Sequence, residues 1–173
     1  MKIVFGYQMG VGKDTACEYL KSKYGGNIIS LSKPLYDIMD YAQSRCKLPN
    51  HKDRQFLQMV GTEWLETKYS GRLAQIALND ISMLSPETNI YISDLRLVNQ
   101  FHILRNNGFI AVKINRPRNE IFLSERTGSG STKHRSEIEL DSIHNDQWDI
   151  IINNDGDLKH FFLQLDQIIS FNK

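Results

Sequence analysis

One stretch near the N-terminus most constrains how this chain can fold. The apolar run Ile3–Phe5 is followed by the turn Gly6-Tyr7-Gln8-Met9-Gly10-Val11-Gly12-Lys13-Asp14-Thr15, after which Ala16, Leu20 and Tyr24 recur at helical spacing. Strand, glycine-rich turn, lysine and helix are the context that a phosphate-binding loop requires, because the backbone N–H groups of the turn and the helix N-terminus point at the anion. The sequence therefore predicts a polyphosphate site at this turn.

This predicted loop departs from the usual pattern at two positions. Tyr7 stands where a glycine is usual, six residues before Lys13, and Asp14 stands where a serine or threonine usually follows the lysine. We predict that Lys13 reaches the outer phosphates as a point charge, and that a hydroxyl just beyond it, that of Thr15, faces the metal ion. The competing interpretation is a glycine-rich strand–helix turn without a ligand.

Length and composition exclude several classes of protein. The 173 residues fit one domain, and a formal net charge of +1 argues against a broad nucleic-acid-binding surface. Cys17 and Cys46 lack metal-ligand spacing and fit a reducing compartment. Neither a signal peptide nor a run of roughly 20 apolar residues that could span a membrane is found. We therefore expect a soluble cytoplasmic protein with small-molecule partners, and neither nucleic acid nor membrane among them.

Apolar runs of strand length alternate with helical patterns along the chain. The predicted strands are Ile3–Phe5, Asn27–Leu31, Asn89–Ser93, Phe109–Ile114 and Asp149–Asn153. Helical spacing also marks the segments 35–46, 73–84, 97–104 and 158–168. Because several strands are continuously apolar, we expect them to be covered on both faces. This order predicts an α/β fold with a five-stranded parallel sheet, helices on both faces and ligands beyond the carboxyl ends of the strands.

Asp94 and Arg96 directly follow the third predicted strand. Both side chains should project at the rim where the phosphate loop opens. An aspartate there can hold Mg²⁺, and an arginine can bind a second phosphate through two hydrogen bonds. The alternative is a surface ion pair.

Two further segments are candidates for binding. Arg54 and Gln58 are four residues apart on a predicted helix that ends in a turn, so they share a face that can contact a phosphate and a base edge. Trp64 can stack on that base, or equally can belong to the core. The polar segment 115–135 predicts a mobile lid that brings positive charge to a migrating phosphoryl group and excludes water, and its alternative is a solvated loop. Its basic residues are Arg116, Arg118, Arg126, Lys133, His134 and Arg135.

Taken together, these residues resemble the deoxynucleoside monophosphate kinases of phages and large DNA viruses, a branch of the nucleotide-monophosphate-kinase-like P-loop NTPase fold. The matching elements run in the family's order over nearly the whole chain. They are Gly10-Val11-Gly12-Lys13-Asp14-Thr15, Ser32-Lys33-Pro34-Leu35, Gln58, Gly61-Thr62-Glu63, Ser93-Asp94-Leu95-Arg96, His134-Arg135-Ser136-Glu137 and Asn153-Asn154-Asp155-Gly156. The family's Gly-Lys-Asp-Thr variant accounts for Asp14.

The resemblance implies a single kinase domain, 1–173, with a substrate-binding region at about 32–85 and a mobile arginine lid at about 115–135. It would transfer the γ-phosphate of ATP, with Mg²⁺ present, to a deoxynucleoside 5′-monophosphate and so supply dNTP synthesis. Dimers are common in such enzymes, which leaves a homodimer open.

The resemblance also implies a role for each matching residue. The ATP phosphates would be cradled by Gly10, Val11, Gly12, Lys13, Asp14 and Thr15, and Asn154, Asp155 and Gly156 would lie near the adenine. The acceptor nucleotide would be held by Lys33, Arg54, Gln58, Trp64, Arg96, His134 and Glu137. The catalytic set would be Lys13, Arg96, Arg116 and Arg126, and the metal would be held by Asp14, Thr15 and Asp94.

Two departures concern the acceptor side. Gln100 stands where an acid often follows the Asp-x-Arg element, and Glu66 stands where an arginine is usual. The acceptor preference therefore need not follow that of relatives. Two other functions stay open at this point: a kinase of the same fold that resembles the dephospho-coenzyme A or phosphomevalonate kinases, and a nucleotide-binding protein without turnover.

Overall fold

The computed structural model describes residues 1–116 and 134–170. Its five strands are β1 (Lys2–Gly6), β2 (Asn27–Ile28), β3 (Ile90–Ile92), β4 (Ile110–Asn115) and β5 (Ile150–Asn153). They form one sheet in the order β2-β3-β1-β4-β5, and every neighbouring pair is parallel. The predicted α/β architecture is confirmed.

The helices in the described residues are α1 (Lys13–Tyr24), α2 (Lys33–Arg45), α3 (Arg54–Gln58), α4 (Arg72–Ser82), α5 (Val98–Asn106), α6 (Arg135–Ile138) and α7 (Leu158–Ser170), with 3₁₀ turns at Glu139–Ser142 and Asn145–Gln147. Six of these helices lie where a helix was predicted, and the short helix α6 was not predicted. None of the helices in the described part of the chain is long and apolar enough to cross a membrane.

The sheet is covered on both faces, as the continuous apolar runs predict. Along β1, Val4 faces one core cluster, whereas Ile3 and Phe5 face the other, and all three are fully buried. Alternation along a strand sends successive side chains to opposite faces. Helices α4 and α5 supply the cluster around Val4, and α1 and α7 supply the cluster on the other face.

Two elements differ from the prediction. The second strand was predicted to continue to Leu31, but it ends at Ile28, because the backbone amides of Leu31 and Ser32 turn to the carboxylate of Asp94. The predicted turn after α3 is instead a π-helical segment, Met59–Glu66. This segment packs closely on α2, where a Cβ at Gly61 would lie 2.5 Å from Leu35 Cδ1.

The carboxyl ends of four strands converge at one edge of the sheet. There β1 continues into the loop 7–12, β2 into the turn 30–32, β3 into Ser93–Arg96 and β4 into Arg116. Candidate binding residues that are far apart in sequence are therefore brought to the same edge.

Candidate functional site

The β1–α1 loop, residues 7–12, has a backbone that favours glycine at three positions. Tyr7, Gly10 and Gly12 have φ values of 93°, 77° and 106°. Such a conformation strains a side chain at Tyr7, where the usual pattern has glycine. Lys113 of β4 compensates, because its Nζ lies 3.9 Å from the centroid of the Tyr7 ring and donates to Asn145 Oδ1 at 2.9 Å. The loop thus keeps the glycine-like backbone despite the departure in sequence.

Asn154 holds the other end of this loop. Its buried side chain donates from Nδ2 to the carbonyl oxygen of Val11 at 2.8 Å. A Cβ at Gly12 would lie 2.7 Å from the same Nδ2, so only glycine fits there. Asn154 was predicted to lie near adenine together with Asp155 and Gly156, and the structure places it against the loop.

Lys13, the first residue of α1, points back across the loop. Its Nζ donates to the carbonyl oxygens of Tyr7 at 3.2 Å and Gln8 at 2.5 Å. The first α1 hydrogen bond runs from Ala16 N to Gly12 O, and no described side chain caps the helix start. The first-turn amides are therefore available to an anion. Lys13, the loop and the helix start together form a positively polarised cradle of the kind that binds phosphates.

The pKa of Lys13 gives the cradle a pH dependence. Burial, and next the positive charge of Arg96, lower the pKa of the Lys13 ammonium from 10.5 to about 8. Phosphate binding favours the charged form, so we expect ATP affinity to fall as the pH rises above about 8, approaching about tenfold per pH unit. Equilibrium binding of ATP between pH 7 and pH 9.5 measures this effect. A Lys13→Arg variant, which stays charged in that range, should lack the fall; a flat profile for the unaltered protein would contradict the lysine's role.

Arg116, at the end of β4, also reaches the loop. Its Nη1 donates to the carbonyl oxygen of Gly10 at 3.3 Å. This contact places a guanidinium beside the cradle, and the role of Arg116 at the transferred phosphoryl group stays a prediction. The rest of the predicted lid, including Arg118, Arg126 and Lys133, lies outside the described residues.

A larger cavity of about 140 Å³ opens beside the loop. It lies between the turn 30–32, α2, α3, the π-helical segment, α4 and the start of α5. The cationic side chains that line it are Lys52, Arg54 and Arg96, and the neutral polar ones include Gln58, Thr62 and Gln100. The shared face of Arg54 and Gln58 thus faces this cavity.

The larger cavity adjoins a smaller recess that contains Lys13 and Tyr7. Met9, Arg96 and Ser136 line both spaces, so Arg96 stands between the loop lysine and the larger cavity. Arg54 lies at the same boundary, with its Nη2 3.9 Å from Met9 Sδ. A ligand in the larger cavity with an anionic group at this boundary would have that group near a phosphate chain in the cradle.

Buried hydrogen bonds fix the wall formed by α5. Gln100 Oε1 accepts from the backbone N–H groups of Arg96 and Leu97, both at 3.3 Å, and its Nε2 lies 3.5 Å from Glu66 Oε1. Glu66 Oε2 accepts from Gly71 N at 2.8 Å. The two residues that depart from the family's pattern are therefore partners of each other, and both ends of the Gln100 amide are bound to protein groups at the cavity wall.

Asp94 lies at the rim, as predicted, but its carboxylate is bound to the protein. Oδ2 accepts from Ser30 Oγ at 2.7 Å and from the N and Oγ of Ser32 at 3.0 and 2.7 Å, and Oδ1 accepts from Leu31 N at 3.0 Å. The alternative of a surface ion pair between Asp94 and Arg96 is not what the structure has. Asp94 instead connects the carboxyl end of β3 to the turn that begins α2.

The structure does not bring every sequence-predicted residue to the larger cavity. Among the described residues, neither Lys33 nor Trp64 lines it. Lys33 is 70% exposed and pairs with Asp37 at 2.6 Å. Trp64 is 47% exposed, with its ring edge-on to Tyr69, so assigning it to the core is wrong.

The motif that follows the predicted lid is only partly described. His134 Nε2 lies 3.2 Å from Glu63 Oε1 of the π-helical segment, and Ser136 lines the larger cavity. The side chain of Glu137 lies outside the described part of the structure.

Sequence reasoning missed several cavity residues. Tyr36 and Leu35 line it from α2, and Lys52 lines it from the segment before α3. Leu35 ends the Ser32-Lys33-Pro34-Leu35 element and Tyr36 directly follows it, so that element and the helical turn after it were the available signal. Lys52 carried no local signal, because no periodicity or motif includes it.

The residues present fit a magnesium ion that is shared with phosphates. Asp14 and Thr15 are exposed in the first turn of α1, and they offer a carboxylate and a hydroxyl oxygen beside the cradle. Within residues 1–116 and 134–170, no group of three or more histidine, cysteine, aspartate or glutamate side chains could hold a metal by itself. Magnesium bound together with a nucleotide usually takes only one or two protein carboxylates.

The fold is that of the P-loop kinases. Similar solved structures include dephospho-CoA kinase from Campylobacter jejuni, with a TM-score of 0.59 and 17% identity over 98% of this chain and 96% of that one. Shikimate kinase from Aquifex aeolicus vf5 has a TM-score of 0.55 and 17% identity over 98% of this chain and 99% of that one. At these identities the likeness shows the fold alone.

Sequence comparison finds similar viral proteins. A protein of Acanthamoeba polyphaga mimivirus named "Putative deoxynucleotide monophosphate kinase" is 27% identical over 183 aligned residues, which cover 90% of this chain and 89% of that protein. The "Uncharacterized protein ORF77" of Ictalurid herpesvirus 1 (strain Auburn) is 32% identical over 142 residues, 80% of this chain. The match spans 58% of the herpesvirus protein's length. No protein-family model matches the sequence.

Proposed function

We propose that this protein transfers the γ-phosphate of ATP to a deoxynucleoside 5′-monophosphate. The observation that carries the proposal is the pair of adjoining spaces, a lysine-containing phosphate cradle and a larger cavity, with Arg96 lining both. Two substrates bound in these spaces have their phosphate groups side by side at Arg96. That arrangement suits phosphoryl transfer, in which the protein mainly positions the reactants and neutralises developing charge.

The lining of the larger cavity supports a nucleotide as the acceptor. Arg54 and Arg96 supply positive charge at the boundary with the cradle, where a 5′-phosphate would sit. Gln58 and Thr62 supply uncharged hydrogen-bonding groups to the same cavity, whose lining also includes leucine side chains. An anion at one end and a neutral, flat, hydrogen-bonding group at the other are the features of a nucleoside monophosphate. The name of the mimivirus protein agrees with this acceptor.

Residues around the cradle have separate roles in the proposed reaction. Lys13 and the first-turn amides of α1 bind the ATP phosphates, and Arg116 neutralises charge from the side of Gly10. Asp14 and Thr15 are the candidates to hold Mg²⁺, which would neutralise charge on the phosphates when bound. Arg126 and Glu137, whose side chains lie outside the described residues, keep their proposed roles at the transferred group and the acceptor.

A coupled ADP-release assay tests the proposal. ATP and Mg²⁺ are mixed with the protein, and each of the common deoxynucleoside and ribonucleoside monophosphates is offered in turn, with dephospho-coenzyme A, phosphomevalonate and shikimate as non-nucleotide acceptors. We expect ADP release that depends on one or more deoxynucleoside monophosphates. Turnover with a non-nucleotide acceptor alone would replace the proposed substrate, and ATP binding without turnover on any acceptor would leave a nucleotide-binding protein.

A further inference from the structure

The carboxylate of Asp94 is saturated by hydrogen bonds from a single turn. A carboxylate offers about four lone-pair sites, and Asp94 accepts from the hydroxyls of Ser30 and Ser32 and from the amides of Leu31 and Ser32. A metal ion bound directly to Asp94 would have to displace these donors. Displacement would strand two backbone N–H groups that are paired in the structure.

The same contacts replace strand pairing. β2 pairs with β3 only through Asn27 and Ile28, and Ile29 N adds one bond to Tyr91 O at 2.9 Å. Beyond that point the chain leaves the sheet, and the amides of Leu31 and Ser32 donate to Asp94. The side chain of Asp94 therefore extends the connection between β2 and β3 past the end of the sheet.

The turn held in this way leads directly into a wall of the larger cavity. Ser32 precedes the first residue of α2, and Leu31, Ser32, Leu35 and Tyr36 all line the cavity. Asp94 lies two residues before Arg96, and both line the same cavity. One carboxylate thus fixes the distance between the α2 wall and the arginine at the boundary.

We propose that Asp94 is a positioning residue for the acceptor: it holds the turn 30–32 and the α2 wall in place against Arg96, and it leaves metal binding to other groups. The inference rests on the proposed function for the identity of the acceptor. Its central claim, that the carboxylate is engaged with the turn and is not a magnesium ligand, can be measured without turnover.

The decisive variants are Asp94→Asn and the pair Ser30→Ala/Ser32→Ala, which removes two hydroxyl donors and keeps the carboxylate. In Asp94→Asn we expect amide hydrogen exchange at Leu31 and Ser32 to rise about tenfold or more, since hydrogen bonds to a charged group are lost. The gain in ATP affinity on adding Mg²⁺ should be unchanged. With turnover, the KM for the acceptor should rise about tenfold while the KM for ATP stays within about twofold.

The serine pair separates positioning from metal binding. It should raise the acceptor KM, as Asp94→Asn does. When all three substitutions are combined, the change in the free energy of acceptor binding should be less than the sum of the separate changes, because all three remove parts of one hydrogen-bond network. If Asp94→Asn lowers the gain in ATP affinity from Mg²⁺, or leaves exchange at Leu31 and Ser32 unchanged, the inference is overturned.

The two proposals can fail separately. If no acceptor supports ADP release, the proposed function fails, and the exchange and Mg²⁺–ATP binding measurements still decide the role of Asp94. If Asp94→Asn does not fold, the serine pair decides that role instead: an unchanged acceptor KM together with unchanged amide exchange at Leu31 and Ser32 would reject the positioning role.

Discussion

Replacing Lys13 with alanine is expected to lower turnover about a hundredfold or more. Lys13 begins α1 and points into the β1–α1 loop, where its Nζ donates to two loop carbonyl oxygens. A bound phosphate chain would take these hydrogen bonds over, and the ammonium would stabilise charge that develops as the γ-phosphoryl group moves. Coupled ADP release with the best acceptor measures the loss in kcat.

The matched control for this prediction is Lys21→Ala. Lys21 is exposed in the last turn of the same helix, away from the loop, so its replacement should leave turnover within about twofold. Circular dichroism of both variants checks that α1 is intact. An equal loss of turnover in both variants would mean that the substitutions act by disturbing helix α1. If Lys13→Ala keeps its turnover, the loop has no part in the proposed reaction.

The parts of the fold that the sequence predicted are those set by local spacing. Apolar runs placed two strand ends at Phe5 and Ser93, each within one residue of the observed ends at Gly6 and Ile92, and a parallel sheet necessarily brings such ends to one edge. The location of Lys13, Asp94 and Arg96 at that edge was therefore predictable. Their assigned roles in binding and catalysis stay predictions.

Contacts between distant residues could not be predicted in this way. The ring of Tyr7 is in contact with the ammonium of Lys113, far along the chain, and no periodicity marks that pairing. Helical spacing alone could not show that residues after Gln58 form a π-helical segment, which changes where Trp64 points and leaves it half exposed. Likewise, an aspartate at a strand end can be a metal ligand or can bind a turn, and the sequence position of Asp94 fits both. Only its four hydrogen-bond donors distinguish the two roles.

Replacing Arg96 with methionine is expected to lower kcat/KM for the acceptor about a hundredfold or more. Arg96 lines both the larger cavity and the recess that contains Lys13, so its guanidinium can contact the acceptor phosphate and the transferred group. Methionine keeps much of the side chain's volume and removes the charge. Arg96→Lys should recover only part of the loss, because an ammonium lacks the two parallel donors of a guanidinium. Arg72→Met, at an exposed position in α4, is the matched control and should match the unaltered protein.

Arg96→Met should also shift the pH dependence of ATP binding. A loss of acceptor contacts alone would not produce this shift. The positive charge of Arg96 is the second cause, after burial, of the lowered pKa of Lys13. Without that charge the pKa of Lys13 rises, so the alkaline fall in ATP affinity should begin at a higher pH in Arg96→Met and stay in place in Arg72→Met. If kcat/KM for the acceptor falls but the pH dependence of ATP binding does not shift, Arg96 acts on the acceptor and its charge does not lower the pKa of Lys13. If the pH dependence of ATP binding shifts but kcat/KM for the acceptor is unchanged, Arg96 is excluded from the acceptor site. Its charge would then act on Lys13 alone.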